Sequence, residues 1–130
     1  MTEAAISAVP QHFMGFAEEF RAPGQPVIQP ERFAAALHLR VQDLAQLAGV
    51  HRTTVTEAPA NSRLQSFLRE ALRVLSAAYE VTNDRDRSLF WFRNEPIREF
   101  GHRTAEQLVA DGKTEAIIAY LTSIAAGSSG

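Results

Sequence analysis

Between Leu64 and Tyr79 the apolar residues Leu64, Phe67, Leu68, Ala71, Leu72, Leu75, Ala78 and Tyr79 recur at helical spacing. Such a pattern puts them on one face of an α-helix of roughly four to five turns. A stripe that long cannot be left in water. Each large side chain favours folding by about 1.5–3 kcal/mol when buried, before conformational entropy is charged. The rest of the chain must therefore wrap around this spine. Asn61 and Ser62 begin it, and Ser62 with Gln65 predicts a capping box. Thr82, Asn83 and Asp84 break it and cap the next helix.

The flanking segments also read as helices. At 130 residues the chain can bury one core, or two small ones that share an interface. Residues 1–9 carry no strong pattern. From Gln11 to Arg21, Phe13, Phe16, Ala17 and Phe20 form one stripe of a short helix, which either packs on the chain's own core or acts as a dimerisation arm. Ala22 to Gln29, with Pro23, Gly24 and Pro26, is a linker. Pro30 suits the first turn of the next helix, whose buried face is Phe33, Ala36 and Leu37. A helix from about Val41 to Ala48 follows, with Leu44, Ala45 and Ala48 inward. Gly49 takes a tight turn, Val50 plugs the core beneath it and Val55 anchors a second short helix. A small residue, a glycine four later and a branched residue six after that is the helix-turn-helix arrangement. Its caps, Arg40 and His51, are poor ones.

In the last third, Phe90, Trp91 and Phe92 close an aromatic helix that Pro96 breaks. Thr104 and Gln107 predict a second capping box, and Gly112 ends that short helix. Ile117, Ile118, Leu121, Ile124 and Ala125 then give a final amphipathic helix. The expected fold is all-α: a helix-turn-helix bundle joined through a long helix to a small helical C-terminal domain. Its boundaries are 1–29 for the N-terminal extension, 30–82 for the helix-turn-helix domain with the spine, and 83–130 for the C-terminal domain.

Composition excludes more than it assigns. With no cysteine there is neither a disulfide framework nor thiolate chemistry. No apolar run approaches the roughly 18 residues of a membrane span, and no secretory signal is visible, so a cytoplasmic protein is expected. His12, His38, His51 and His102 show no metal-ligand spacing with an attendant glutamate, and no glycine-rich phosphate loop is present. Neither enzyme activity nor a cofactor is expected. The net charge of −2 argues against nucleic-acid binding by bulk electrostatics. Locally, from Glu31 to Arg73, six arginines stand against four acidic residues. That excess reads either as a DNA footprint or as a solvated, partly salt-bridged face. If the second short helix enters a major groove, it presents Arg52, Thr53, Thr54 and Thr56, with Glu57 opposing phosphate.

The ordered set Trp91, Phe92, Asn94, Pro96, Arg103, Thr104, Leu108, Gly112 and Gly127 resembles the toxin-binding domain of the Xre/MbcA/ParS antitoxins. The resemblance covers roughly residues 30 to 127. It implies a two-part protein: an Xre-like half that represses its own operon, and a C-terminal half that binds a cognate toxin with an NAD-consuming RES domain. The last helix and tail would lie across the toxin's active-site cleft, with Arg103, Tyr120, Leu121, Ile124, Ala125, Ala126, Gly127 and Ser128 in contact. The partners implied are that toxin, operator DNA and a second copy, as a homodimer inside a toxin–antitoxin hetero-oligomer. The tail departs from the family, ending Ser128-Ser129-Gly130 where apolar or aromatic residues are common. The alternatives are a stand-alone helix-turn-helix regulator, or an antitoxin for a toxin of another fold.

Overall fold

The computed structural model describes residues 13–129. Among them, eight α-helices follow in order: α1 (Phe16–Glu19), α2 (Pro30–Leu37), α3 (Val41–Ala48), α4 (Arg52–Glu57), α5 (Ser62–Thr82), α6 (Arg85–Asn94), α7 (Ala105–Ala110) and α8 (Thr114–Ser129). A single 3₁₀ turn, Arg98–Phe100, lies between α6 and α7. Extended pairing among the described residues is limited to two isolated bridges, Arg21 with Ile28 and Ile97 with Arg103.

The spine forms as its periodicity requires. α5 buries Leu64, Phe67, Leu68, Ala71, Leu72, Val74, Leu75 and Ala78, and α1, α3, α6, α7 and α8 all pack on it. It ends where Asn83 takes a left-handed conformation, φ 55°, and donates its N–H to Tyr79 O at 2.8 Å. Asn tolerates that region because its short polar side chain can bond locally. Asp84 then caps α6, its carboxylate accepting the Arg87 N–H at 3.0 Å. The chain thereby reverses within two residues and lays α6 back along the spine. One hydrophobic cluster runs from Phe16 to Leu121, so residues 30–82 and the helices after them share a core.

The start of α5 corrects one expectation. Ser62 and Gln65 do not form a capping box. Asn61 is the N-cap, its side-chain oxygen accepting from Leu64 N at 3.0 Å. That leaves Gln65 one residue further into the helix, facing inward and only 6 % exposed. There it accepts from Ile28 N at 3.0 Å and donates to the carbonyls of Ile28 and Pro59, both at 2.8 Å. The 22–29 linker is thus fastened to the spine by a side-chain amide.

The N-terminal helix is shorter than expected, because Gly15 at φ 113° starts it late; residues 11 and 12 of the expected span lie outside the described residues. Ala17 is exposed, whereas Phe16 and Phe20 are each 1 % exposed. Ring centroids step from Phe13 to Phe16 (4.7 Å), Phe20 (5.9 Å), Phe33 (5.8 Å) and Phe67 (6.2 Å). These spacings are those of favourable edge and offset contacts. The segment packs on the chain's own core, which leaves a dimerisation arm no large apolar face on Phe16 and Phe20.

The aromatic helix also divides differently. Phe92 is fully buried and Trp91 half-buried, but Phe90 is 63 % exposed. Residues two apart on a helix lie about 200° apart, so Phe90 and Phe92 cannot share a buried face.

Candidate functional site

Two faces carry the residues singled out by sequence: the outer surface of α8 and the exposed side of α4.

α8 is launched by a tight α7 ending. Gly112, at φ 80°, donates to Val109 O at 3.0 Å, and Lys113 N reaches Leu108 O at 2.8 Å. Glycine takes this left-handed position without a Cβ penalty. The start of α7 is fixed as expected: Thr104 accepts from Gln107 N at 3.2 Å while Gln107 accepts from Thr104 N at 3.0 Å. Thr114, Ile117 and Leu121 then point inward and are buried. Ile118 and Tyr120 lie half-buried on the flanks. Tyr120 meets Phe100 of the 3₁₀ turn edge-on, at 5.7 Å and 85°. Burial, with Glu99 beside it, raises its hydroxyl above the usual tyrosine range.

Leu121 is the last buried side chain of the helix among the described ones, yet α8 continues to Ser129. The eight further residues extend it by about 12 Å. Ile124 is 36 % exposed there, Ala126 and Gly127 are exposed and Ala125 is half-buried. The outer face upstream is Ala116, Ala119, Thr122 and Ser123, all exposed. From Ala116 to Gly130 the sequence holds no Asp, Glu, Lys or Arg. Solvent-facing helix surfaces are ordinarily charged or strongly polar. This one is neither.

The expected contact residues therefore separate. Tyr120, Ile124, Ala125, Ala126 and Gly127 fall on or beside the outer surface. Leu121, 4 % exposed, belongs to the core and is corrected to an anchor for α8. The helix reaches Ser128, the last of the expected set. Arg103 stands apart from α8: its guanidinium pairs with Asp111, at the end of α7. It borders a cleft of about 480 Å³ lined also by Asp43, Gln46, Arg93 and Glu106. In that cleft Arg93 donates to both Glu106 oxygens at 3.3 Å. Burial pushes the Glu106 carboxyl upward in pKa, and Arg93 draws it only partly back.

On the other face, Gly49 turns at φ 72° and Val50 N returns to Ala45 O at 3.0 Å, bringing α3 and α4 together. Neither Arg40 nor His51 makes a side-chain cap. Val55 is buried and Thr54 half-buried, leaving Arg52, Thr53 and Thr56 exposed. The basic residues around them are largely engaged. Arg40 pairs with Asp43 at 3.1 Å, and Arg73 with Glu70 at 3.3 Å and Glu115 at 2.7 Å. Arg63 donates to Gly49 O and Arg32 to the carbonyls of Glu19 and Arg21. The local arginine excess is thus mostly spent on local partners.

Sequence reasoning missed Phe100, the exposure of Phe90 and the Arg93–Glu106 pair. The two residues of each contact come from different elements, and nothing in their spacing links them. Among the described residues no three His, Asp or Glu side chains gather as for a metal ion, and no helix is long and apolar enough to cross a membrane.

No protein-family model and no curated protein matches the chain. The fold places it in a class, an all-α protein with the architecture of an MbcA-like antitoxin. The chain is similar to a solved structure, the crystal structure of the M. tuberculosis MbcT–MbcA toxin–antitoxin complex. The match has 25 % identity and a TM-score of 0.57, over 76 % of this chain and 92 % of that one.

Proposed function

We propose that this chain is an antitoxin that binds a RES-domain, NAD-consuming toxin and blocks it sterically with the outer face and end of α8. The observation that carries the reading is the charge-free stretch from Ala116 to Gly130, on a helix that runs on beyond its last buried residue. A helix laid in a groove offers anchors at i, i+3, i+4 and i+7. Tyr120, Ile124 and Gly127 have this spacing, with small side chains between them that let a partner approach closely. Desolvating such a face costs little, because it has no ionised group to strip of water. Ile117 and Leu121 fix the helix from within, so it meets the partner already formed and the ordering cost of a flexible segment is avoided. On this reading no residue of the chain performs chemistry; it excludes substrate from the toxin. The toxin partner is proposed from the likeness to the MbcT–MbcA complex. Its RES identity rests on the family resemblance of roughly residues 30 to 127.

The test is co-expression of full-length chain and toxin, with growth, NAD content and co-purification as readouts. Restored growth and a stable complex are expected; two proteins that never associate would sink the proposal.

A second activity, repression of the chain's own operon, is favoured by the α3–turn–α4 geometry with Arg52, Thr53 and Thr56 exposed. On this reading residues 30–82 face DNA and 83–130 face the toxin. Arg52→Ala should weaken binding to the promoter fragment and flatten its salt dependence by about one counterion. A shift assay in which Arg52→Ala and wild type titrate alike would leave α4 a scaffold.

A further inference from the structure

The loop between α6 and α7 is held more tightly than a connection requires. Ile97, 3 % exposed, anchors it in the core. The Ile97 N–H donates to Arg103 O at 2.9 Å and the His102 N–H returns to Ile97 O at 2.9 Å, closing the base of the loop with an antiparallel bridge. Inside it the Phe100 N–H donates to Ile97 O at 3.0 Å and the Gly101 N–H to Arg98 O at 3.2 Å. Gly101 and His102 then take consecutive left-handed conformations, φ 70° and 65°. A residue with a side chain stays in that region where its surroundings over-determine it.

These constraints fix where Phe100 stands. Its half-buried ring meets the half-buried ring of Tyr120 edge-on at 5.7 Å and 85°, so the two form an aromatic ledge beside the outer surface of α8. From Ala116 to Gly130 Tyr120 is the sole aromatic residue. Tyrosine is the kind of residue on which binding energy concentrates, since it offers a large area with two side-chain torsions to order. A ring already held from the side has less of that freedom left to lose when a partner arrives. Resting on the toxin reading above, we propose that the 97–103 loop is a second element of the toxin-binding surface, with Phe100 a positioning residue that holds the Tyr120 ring in the orientation an apolar groove of the toxin receives. The surface is thereby made of two elements far apart in sequence, and the 3₁₀ turn has a function besides connecting α6 to α7.

Calorimetric titration of a RES-domain toxin with five full-length chains tests it: wild type, Phe100→Leu, Phe100→Tyr, Tyr120→Leu and the Phe100→Leu/Tyr120→Leu double variant. Phe100→Leu should bind about 3- to 10-fold more weakly, the cost of ordering one freed side chain. Phe100→Tyr, which keeps a ring against Tyr120, should bind like wild type. Tyr120→Leu should lose about 30-fold. Adding Phe100→Leu to it should cost nothing more, because no ring is left to hold. A role confined to stability would lower the melting temperature and leave the affinity of the folded chain where it was. Wild-type affinity in Phe100→Leu, or the same loss with and without the Tyr120 ring, would overturn the positioning role and leave the toxin reading standing. A wild-type chain that does not bind the toxin would overturn both, so the two failures are distinct.

Discussion

Replacing Gln65 with leucine removes three hydrogen bonds while nearly preserving side-chain volume. The amide holds Ile28 through both its N–H and its carbonyl, at 3.0 and 2.8 Å, and Ile28 is 5 % exposed. Neither backbone group can turn to solvent without moving the linker. A buried donor or acceptor left unpaired costs about 1–3 kcal/mol. The Pro59 carbonyl, on a half-buried residue, can take water instead and adds little. Two orphaned groups cost about 2–6 kcal/mol and a buried leucine returns about 1.5–3 kcal/mol, leaving about 1–3 kcal/mol. For a chain of this length that is about 4–12 °C in melting temperature, a sizeable share of the stability of an ordinary domain. Urea and thermal unfolding followed by circular dichroism measure it. Gln46→Leu, at an exposed position, serves as control and should stay within about 0.5 kcal/mol of wild type. If Gln65→Leu matched wild type as closely, the amide would not be fastening the linker, and α1 and α2 would be held by their phenylalanines alone.

Two further outcomes follow from the C-terminal half. Glu106 has its folded-state pKa raised above the usual 4.5 by burial. Its ionisation therefore costs stability above that value, and the cost is relieved as pH falls through the folded pKa. Wild type should gain on Glu106→Gln when unfolding is measured at pH 4.5 rather than pH 7; a difference that does not vary with pH would contradict the burial argument. Thr104→Ala removes the oxygen that accepts from Gln107 N and should cost about 1 kcal/mol. Thermal melts read it, and an unchanged melting temperature would mean the α7 cap is satisfied by water.

What could be read from the sequence was whatever one element decides alone. The α5 stripe, the Gly49 turn, the Thr104–Gln107 box and the Gly112 stop each depend on residues within a few positions of one another, and each is present. The Ser62–Gln65 box failed because Asn61, one residue earlier, offers the backbone a better acceptor, and because Gln65 has partners 37 residues away at Ile28. Spacing along a helix shows which side chains face inward but not what meets them. The same limit hid Phe90, whose neighbours on both sides are covered, and the Phe100–Tyr120 contact across 20 residues. At the candidate site the periodicity identified the anchors Ile117 and Leu121. It did not separate Leu121, which holds α8 in place, from Ile124, which faces out, because that depends on where α5 ceases to cover the helix.

That separation also supplies the most direct test of the toxin-blocking reading. A chain ended after Thr122 keeps the buried residues Thr114, Ile117 and Leu121 of α8 and loses residues 123–130. Calorimetric titration of a RES-domain toxin with this truncated chain and with the full chain compares the two at equal fold. The account predicts that the truncated chain melts within about 1 kcal/mol of the full one and binds at least about 100-fold more weakly, as loss of a central helix anchor should. Equal affinity for the two would place the inhibitory contact elsewhere on the molecule and contradict it.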